Sequence, residues 1–452
     1  MHSIELRQNS NLIMPERSVL RLIGLLGLAT FLVYLVVGIY YVTGPISPFR
    51  TLKLTSTGDA FLSAFPGWNA PEEFDDAAYN RAALEILRTG IPRDHTGSLF
   101  LHAPVYAYFV AGCYWLGGVR LLALAIPQAI LAALTCVLIG LTTYRIATRS
   151  RVAAVLIASS LFLINLRLAM YVGYVSPTIL LEFFFALALL AVSGQFTLPG
   201  LTLFVVATIL AIETQAVFFV AACGAAGWLL LRFFQTKRGS LCIASAIILA
   251  LAAAKVLLPA WIGADSRGSL NEAAEGVLWE ANNPYYESMT VTSLWERRPA
   301  NLWTHWKMST TDKQRYDGYL DRAHHHSTQA AQLWIRENPG EYGDLVFVRL
   351  WTSLGPFTGM MSPRNRMISL CIWLLIFPAG FVGWWLYRQV PLSQLAAAVT
   401  FTLTLFSALV VVEWYLRYRF PVELLMTVYA ALGYSSYFGK KSYSPTALTE
   451  GR

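Results

Sequence analysis

The chain has 452 residues, of which 56% are apolar and only 13% are charged. A soluble globular domain carries about 25% charged residues, so this composition excludes an ordinary soluble domain and indicates a polytopic membrane protein. The 34 Lys and Arg against 26 Asp and Glu give a net charge of +8, but membrane proteins gather basic residues at cytoplasmic helix ends, so the excess does not indicate nucleic-acid binding.

The first hydrophobic run, at about 19–42, is too long for the core of a signal peptide, and no small-residue cleavage site follows it. We expect it to remain as a membrane anchor with the N-terminus in the cytoplasm. Nine further runs bring the prediction to about ten transmembrane helices in an all-α protein. These runs lie at about 119–143, 152–171, 178–192, 200–211, 216–234, 241–262, 368–387, 392–412 and 422–437.

The stretch 101–118 is hydrophobic but is broken by Pro104 and ends at Gly117-Gly118. Counting it as a span would place Arg145 and Arg151 outside the cell, whereas an interfacial or re-entrant helix leaves them inside. The positive-inside rule favours the second interpretation, with both termini cytoplasmic. Two polar regions, 43–118 and 263–366, and the turn 413–421 then lie on the extracytoplasmic side.

The sequence therefore divides into three predicted parts. Residues 1–262 form an N-terminal transmembrane module whose first outer loop is 43–118. Residues 263–366 form a small extracytoplasmic cap, in which we expect an amphipathic helix at about 321–338 that ends at Pro339-Gly340. Residues 367–452 supply the last transmembrane helices and a cytoplasmic tail.

An acidic pair, Asp75-Asp76, stands in the first outer loop. Asp75 fits a helix N-cap, Asp76 lies in the first turn, and Gly90 closes the helix. One interpretation is only a capped amphipathic helix lying on the bilayer. The functional interpretation, which is compatible with it, makes Asp75 a general base whose proton affinity is raised by the neighbouring carboxylate. The apolar face would consist of Tyr79, Ala82, Ala83 and Ile86.

Two arginines, Arg417 and Arg419, stand before the last hydrophobic run. Arginines at helix ends are common interfacial anchors. Beside a membrane cavity, two guanidinium groups would instead hold a lipid phosphate through bidentate hydrogen bonds and stabilise it as a leaving group.

Charged residues within hydrophobic runs cost about 3 kcal/mol at the bilayer centre, so each requires a reason. Glu213 is expected in a tight outer turn. Glu182 lies about one turn inside its run and is expected to face a polar cavity. Lys255, near an outer end, could extend to the interface or meet a phosphate.

Other patterns argue against metal and nucleotide chemistry. The five cysteines lie in hydrophobic runs without a CxxC pair, which indicates apolar packing. His324-His325-His326 are adjacent on a predicted helix and cannot share a zinc ion, which needs i, i+3 or i+4 spacing. The sequence has no P-loop, no GxGxxG after a strand and no GxSxG.

Several short motifs, taken in their order along the chain, resemble those of the polytopic glycosyltransferases of the C superfamily, particularly the family 39 branch of protein O-mannosyltransferases and lipid A aminoarabinose transferases. The motifs are Asp75-Asp76-Ala77-Ala78-Tyr79, Leu87-Arg88-Thr89-Gly90-Ile91-Pro92, His102-Ala103-Pro104-Val105-Tyr106-Ala107-Tyr108, Pro259-Ala260-Trp261, Glu280-Ala281-Asn282-Asn283-Pro284, Trp334-Ile335-Arg336-Glu337-Asn338-Pro339 and Arg417-Tyr418-Arg419-Phe420-Pro421.

This resemblance implies transfer of a sugar from a polyprenyl-phosphate donor, such as undecaprenyl phosphate, to a glycan, lipid or protein acceptor outside the membrane. Asp75 would be the catalytic acid of the first loop, with Asp76 beside it. The donor phosphate would meet Arg417, Arg419, His102 and Lys255. Substrate contacts would come from Tyr79, Tyr106, Glu182 and Glu413.

The sequence departs from the family pattern at two places. Aminoarabinose transferases carry an acid before a proline in the second outer loop, where this chain has Ser176-Pro177 and leaves Glu182 as a candidate substitute. Those relatives also place a lysine before the proline of the first loop, where this chain has Ala103, so His102 is the candidate there. Both departures argue against a lipid A modifier.

Two rival classes remain open at this stage. A flippase for lipid-linked glycans would use the same arginines without a reaction, although neither inverted repeats nor broken helices are evident in the sequence. A non-catalytic scaffold would tolerate the absent second-loop acid. No cofactor is expected; a divalent metal could be held by the paired carboxylates but is not expected from the relatives. We expect the chain in the cytoplasmic membrane of a bacterium.

Overall fold

The structure is a computed structural model that describes residues 16–43, 75–93, 97, 99–100, 103–148, 150–194, 196–215, 218–261, 278–279, 282–283, 310–356, 363–409 and 416–438. These residues are helical almost throughout, and their only β pairing is a single bridge between Arg93 and Leu99. The prediction of an all-α polytopic membrane protein is confirmed.

Every hydrophobic run of the sequence coincides with a helix. The first region contains α1 (Arg17–Thr43), α2 (Asp75–Thr89), α3 (Pro104–Gly117), α4 (Leu121–Ile146), α5 (Arg151–Leu163), α6 (Leu166–Met170), α7 (Thr178–Val192), α8 (Leu198–Thr214), α9 (Phe218–Thr236) and α10 (Gly239–Trp261). The second contains α11 (Thr310–Arg322), α12 (Ser327–Glu337), α13 (Pro339–Leu354), α14 (Pro363–Leu386), α15 (Pro391–Leu409) and α16 (Leu416–Phe438).

Five of the described helices are long and apolar enough to cross a membrane, or six if α5 and α6 are counted as one bent span. Those five are α1, α4, α9, α14 and α15. Shorter apolar helices, α7, α8 and the described part of α10, account for three more of the predicted runs. The last run is α16, which carries buried charged side chains. The chain is therefore an integral membrane protein, although fewer of its helices than the predicted ten pass as complete spans by length and composition.

The predicted run 152–171 is not one straight helix. α5 ends at Leu163, and the chain bends by 46° before α6 continues into a 3-10 turn at Tyr171–Gly173. Neither proline nor glycine stands at the bend, so the break had no local signal in the sequence. The side chain of Asn165 at this point donates to Glu423, 258 residues away in the sequence.

Small residues allow the helices to approach closely. A Cβ atom at Gly383 of α14 would lie 1.8 Å from the backbone oxygen of Tyr429 in α16, and one at Gly433 would lie 2.6 Å from the oxygen of Ala379. Small residues at such crossings are typical of membrane helix pairs, because van der Waals packing there depends on close backbone contact. α14 and α16 therefore form a tight pair within the bundle.

The predicted helix at 321–338 is wrong as a single element. α11 ends at Arg322 and α12 begins at Ser327, and between them His324 and His325 have φ angles of 50° and 64°. The amides of His324 and His325 donate to the carbonyls of Asp321 and Leu320, which is the hydrogen-bond pattern of a Schellman cap. Glycine usually occupies this left-handed position, so its absence concealed the helix end.

The cysteine prediction is confirmed in part. All five are free thiols; Cys113 and Cys136 are buried, Cys223 and Cys242 are half-buried, and Cys371 is exposed on α14. The apolar interior thus accommodates two of them, while Cys371 lies on a helix surface.

Candidate functional site

The acidic pair stands at the start of a helix that packs on its neighbour. Helix α2 begins at Asp75, and at its other end the amide of Gly90, with φ of 81°, donates to the carbonyl of Ile86 at 2.8 Å. The predicted helix and its glycine terminator are confirmed. Asp75 and Asp76 thus occupy the first turn, where the helix dipole favours negative charge. Their side chains lie outside the described residues.

An aromatic core holds α2 against α3, and we call these two helices the first-loop platform. The rings of Tyr79 and Tyr106 meet edge to face with centroids 5.1 Å apart. The Tyr114 hydroxyl donates to Oδ1 of Asn80 at 2.8 Å, and both side chains are buried. Buried aromatic pairs and a paired buried amide fix the angle between two helices, so the platform sets the direction in which the first turn of α2 points.

The predicted face of α2 is confirmed, since Tyr79, Ala82 and Ala83 are buried and Ile86 is half-buried against the same core. Tyr79 is 1% exposed and Tyr106 is 0% exposed. As packed, each ring contacts protein rather than open space. Their substrate-binding roles stay predictions, and what the structure adds is their place in the platform core.

Helix α3 has 14 residues and is about 21 Å long at 1.5 Å per residue, shorter than the roughly 30 Å hydrocarbon core of a bilayer. Pro104 occupies its first turn, where the missing amide hydrogen costs nothing. Tyr108, Trp115 and Leu116 are exposed on its surface. These features fit the predicted interfacial or re-entrant helix, whose orientation in a membrane stays a prediction.

A second constellation lies at the N-terminal end of α16, and we call it the arginine–glutamate cluster. Glu423 accepts hydrogen bonds from Nη2 of Arg167 at 2.8 Å to each carboxylate oxygen, and from Nε of Arg419 at 2.7 Å. Nδ2 of Asn165 donates to the same carboxylate at 3.2 Å. Arg167 also donates through Nη1 to the hydroxyl of Ser369 at 2.5 Å.

The cluster is enclosed by protein. Arg167, Arg419 and Glu423 are 3%, 5% and 1% exposed. Two positive charges meet one negative charge, and within the described residues Nε of Arg167 and Nη2 of Arg419 have no hydrogen-bond partner. Buried charges persist only when they are paired and hydrogen-bonded, which explains the density of contacts around Glu423.

Glu182 is a buried carboxyl near this cluster. It is 1% exposed on α7, and neither of its oxygens has a hydrogen-bond partner among the described residues. It lies close enough to interact electrostatically with Tyr34 and Glu423. The side chain therefore faces the protein interior rather than lipid, and its role toward a substrate stays a prediction.

Lys255 lies in an ion pair rather than free at the interface. Its Nζ is 2.6 Å from Oε2 of Glu213, and the two side chains are 9% and 29% exposed. Glu213 belongs to the last turn of α8, close to the outer turn where it was expected. To contact a phosphate, the ammonium group of Lys255 would have to break its ion pair with Glu213 or bind both groups at once.

The remaining predicted residues are described only in part. Arg417 lies in the first turn of α16, and its side chain lies outside the described residues. His102 and Glu413 lie wholly outside them. Within the described part of the chain, no three His, Cys, Asp or Glu side chains are grouped so as to hold a metal ion.

Sequence reasoning missed Arg167 and Glu423 because it considered other charged residues within hydrophobic runs and not these two. The available signal was the same: Arg167 falls inside the run 152–171 and Glu423 inside 422–437, where a charge requires a partner. Their pairing itself joins residues 256 positions apart, which no local pattern reveals.

Comparison with known proteins gives partial likenesses. No family model and no curated protein matches the chain. Among solved structures, the chain is similar to the oligosaccharyltransferase of Archaeoglobus fulgidus with an acceptor peptide, at 14% identity and a TM-score of 0.47 over 92% of this chain and 50% of that one. The same archaeal protein, AglB, in complex with an inhibitory peptide and a dolichol-phosphate gives 15% identity and a TM-score of 0.46.

ArnT from Cupriavidus metallidurans gives 14% identity and a TM-score of 0.34 over 81% of this chain and 73% of that one. The chain spans about half the length of the archaeal oligosaccharyltransferase. Because every one of these TM-scores is below 0.5, functional inference for this chain rests on its own residues.

Proposed function

We propose that the chain is an integral-membrane glycosyltransferase that moves a sugar from a polyprenyl-phosphate donor to an acceptor at the extracytoplasmic face. The observation that carries the proposal is the placement of Asp75-Asp76 in the first turn of α2, on a platform with a buried aromatic core, in a chain that is otherwise mostly apolar helix. The order of the motifs along the sequence and its resemblance to the C superfamily support it.

The proposed reaction is a single inverting displacement. The carboxylate of Asp75 takes the proton of an acceptor hydroxyl, the hydroxyl oxygen bonds to the anomeric carbon, and the bond between that carbon and the phosphate oxygen breaks. The polyprenyl phosphate leaves with the electron pair and needs no proton. Asp76 raises the proton affinity of Asp75 through like-charge repulsion.

Positive charge at the start of α16 would stabilise the departing phosphate. Arg417 is the candidate for direct contact. Arg419 is held by Glu423 and the carbonyl of Gly355, so it contributes its charge and the one terminal nitrogen, Nη2, that has no partner among the described residues. Positively charged groups fixed before the reaction stabilise developing charge without reorganisation.

One observation favours the flippase as a second candidate. The 46° break between α5 and α6 is the kind of interrupted helix that transporters use to form substrate sites. The break is occupied here by side chains that bond to α16, which fits a fixed site better than a moving one.

The two candidates are separated by reconstituting the protein in liposomes with synthetic polyprenyl-phosphate sugars that carry a radiolabel in the sugar. A glycosyltransferase releases the label from the lipid to an acceptor. A flippase moves the intact labelled lipid between leaflets without release. If no donor gives either release or movement of the label, both candidates are contradicted and the scaffold remains.

A further inference from the structure

Four segments meet at the arginine–glutamate cluster: α6, the end of α13, α14 and the start of α16. We propose that Arg167 and Glu423 are positioning residues that hold the segment Leu354–Pro356 against α14 and the first turns of α16, and so fix the position of the proposed phosphate-binding arginines, Arg417 and Arg419. This inference rests on the proposed function for its effect on the donor.

The segment after α13 is held by three consecutive carbonyl contacts. Nε1 of Trp373 donates to the carbonyl of Leu354 at 2.6 Å, a guanidinium nitrogen of Arg419 donates to that of Gly355, and the hydroxyl of Ser369 donates to that of Pro356. Carbonyls at the end of a helix lack partners within the helix, so donors from other elements fix its end.

Arg167 and Glu423 orient two of these three donors. Arg167 Nη1 donates to the Ser369 oxygen, which leaves the hydroxyl hydrogen for the carbonyl of Pro356. Glu423 accepts from Nε of Arg419, which turns another nitrogen of that guanidinium toward the carbonyl of Gly355. Arg167 in turn bonds both oxygens of Glu423. Losing Arg167 would therefore loosen both contacts at once.

The burial of the cluster indicates a role in geometry more than in stability. Replacing a buried ion pair by neutral groups is often neutral or stabilising, whereas removing one partner destabilises. Charges that are costly to bury but join α6, α13 and α16 are best explained by the arrangement they specify. Arg417 stands two residues before Arg419 on the same helix, so the cluster also fixes the backbone from which Arg417 projects.

The test compares wild type with Arg167→Gln, with Ser369→Ala and with the double variant Arg167→Gln/Glu423→Gln. In the wild type, Arg167, Arg419 and Glu423 carry two positive charges and one negative charge. In the double variant only Arg419 is charged, so the net charge of the three groups is unchanged. Hydrogen exchange followed by mass spectrometry reports the opening of peptides that cover 345–356. Binding of undecaprenyl phosphate and sugar transfer report the donor site.

We expect faster exchange in 345–356 for all three variants. Because a misplacement of about 1 Å can cost on the order of 100-fold in rate, we expect transfer by Arg167→Gln and by the double variant to fall by about 10- to 100-fold. The double variant leaves Arg419 buried without its counter-charge, whereas Arg167→Gln keeps the pair between Glu423 and Arg419, so the double variant should be the less stable of the two. A purely stabilising role predicts that donor affinity and rate fall in proportion to thermal stability. The positioning role predicts that Arg167→Gln loses donor affinity and rate as much as the double variant although it is the more stable of the two.

Ser245→Ala is the matched control, because Ser245 is equally buried and its hydroxyl also donates to a carbonyl of another helix, that of Ala226, at 2.9 Å. It should leave exchange in 345–356 unchanged. If Arg167→Gln and Ser369→Ala exchange in 345–356 at the same rate as wild type, the positioning role is overturned. If the variants exchange faster but the wild type binds no donor, the positioning role is upheld and the proposed function is refuted.

Discussion

The first-loop platform and the arginine–glutamate cluster are two ways of fixing polar groups in a bundle of apolar helices. The platform uses aromatic packing between neighbouring helices, with one internal hydrogen bond between Tyr114 and Asn80. The cluster uses hydrogen-bonded charged side chains from helices far apart in the sequence. The platform leaves the first turn of α2 as the end of a packed helix, whereas the charged side chains of the cluster are buried.

The difference indicates distinct roles. A carboxylate that must take a proton from an acceptor has to meet that acceptor, so it belongs at the end of a supported helix. Arg167 and Glu423 are buried and held by protein contacts, so they can set geometry and electrostatic potential. We therefore propose proton transfer at the start of α2 and, at the start of α16, positioning of the arginines by Arg167 and Glu423.

Loss of the shared carboxylate of the cluster should have the largest effect on stability. Glu423→Gln leaves Arg167 and Arg419 buried without their counter-charge, and breaking a buried pair in this way costs about 3–5 kcal/mol. The free energy of unfolding of the purified protein in detergent measures it.

The comparison for that change is Glu213→Gln, which breaks the pair with Lys255 and should cost less, because one cation rather than two loses its partner and Glu213 itself is 29% exposed. Equal losses for the two variants would remove the distinction between a carboxylate shared by two buried arginines and one paired with a single lysine.

The platform should respond to loss of an aromatic ring. Tyr106→Leu removes the ring that packs against Tyr79 and Phe109 at 5.1 and 6.0 Å, and we expect a loss of about 2 kcal/mol from the aromatic contacts and the space left behind. Thermal unfolding measures the change. Tyr40→Leu, on an exposed position of α1, should have almost no effect; a similar loss there would show that the assay does not report packing.

A smaller effect is expected from the hydrogen bond within the platform. Tyr114→Phe keeps the ring but leaves Oδ1 of buried Asn80 without its donor, which should cost about 1 kcal/mol. Comparison of unfolding midpoints with wild type gives the value. An unchanged midpoint would mean that packing alone holds α2 on α3.

The smallest effect belongs to an exposed pair of the same residue types as the cluster. Arg322 donates to both carboxylate oxygens of Glu337 at 2.8 and 3.0 Å, and this pairing lowers the pKa of Glu337 below its usual value. A lowered pKa contributes stability that is present above the pKa of the unfolded chain and is lost as the pH falls through the folded pKa.

Glu337→Gln should therefore show a slightly lower melting temperature than wild type at about pH 7, and the two curves should converge near about pH 3, where the carboxyl is protonated. Melting temperatures recorded across that range test this. A difference that grows toward low pH would contradict the sign of the pKa shift.

The sequence predicted the platform well because its signals are local. Hydrophobic spacing identified the buried face of α2, Gly90 its end and Gly117-Gly118 the end of α3. Pro104, expected to break the stretch, is instead in the first turn of α3. The sequence did not predict the cluster, because its partners meet only after the bundle is assembled. It did not predict the turn at His324 and His325, because an amphipathic pattern continues across the turn and the left-handed residues there are not glycine.

The most direct test of the account is the rate of sugar transfer from a polyprenyl-phosphate donor by Asp75→Asn and by Asp76→Asn, each compared with wild type and with donor binding measured on the same samples. We expect Asp75→Asn to lose about 100- to 10,000-fold in transfer, the usual contribution of a general base, while it binds the donor normally. Asp76→Asn should lose less, because its role is electrostatic. Transfer by Asp75→Asn at the wild-type rate would contradict the assignment of Asp75 as the catalytic base.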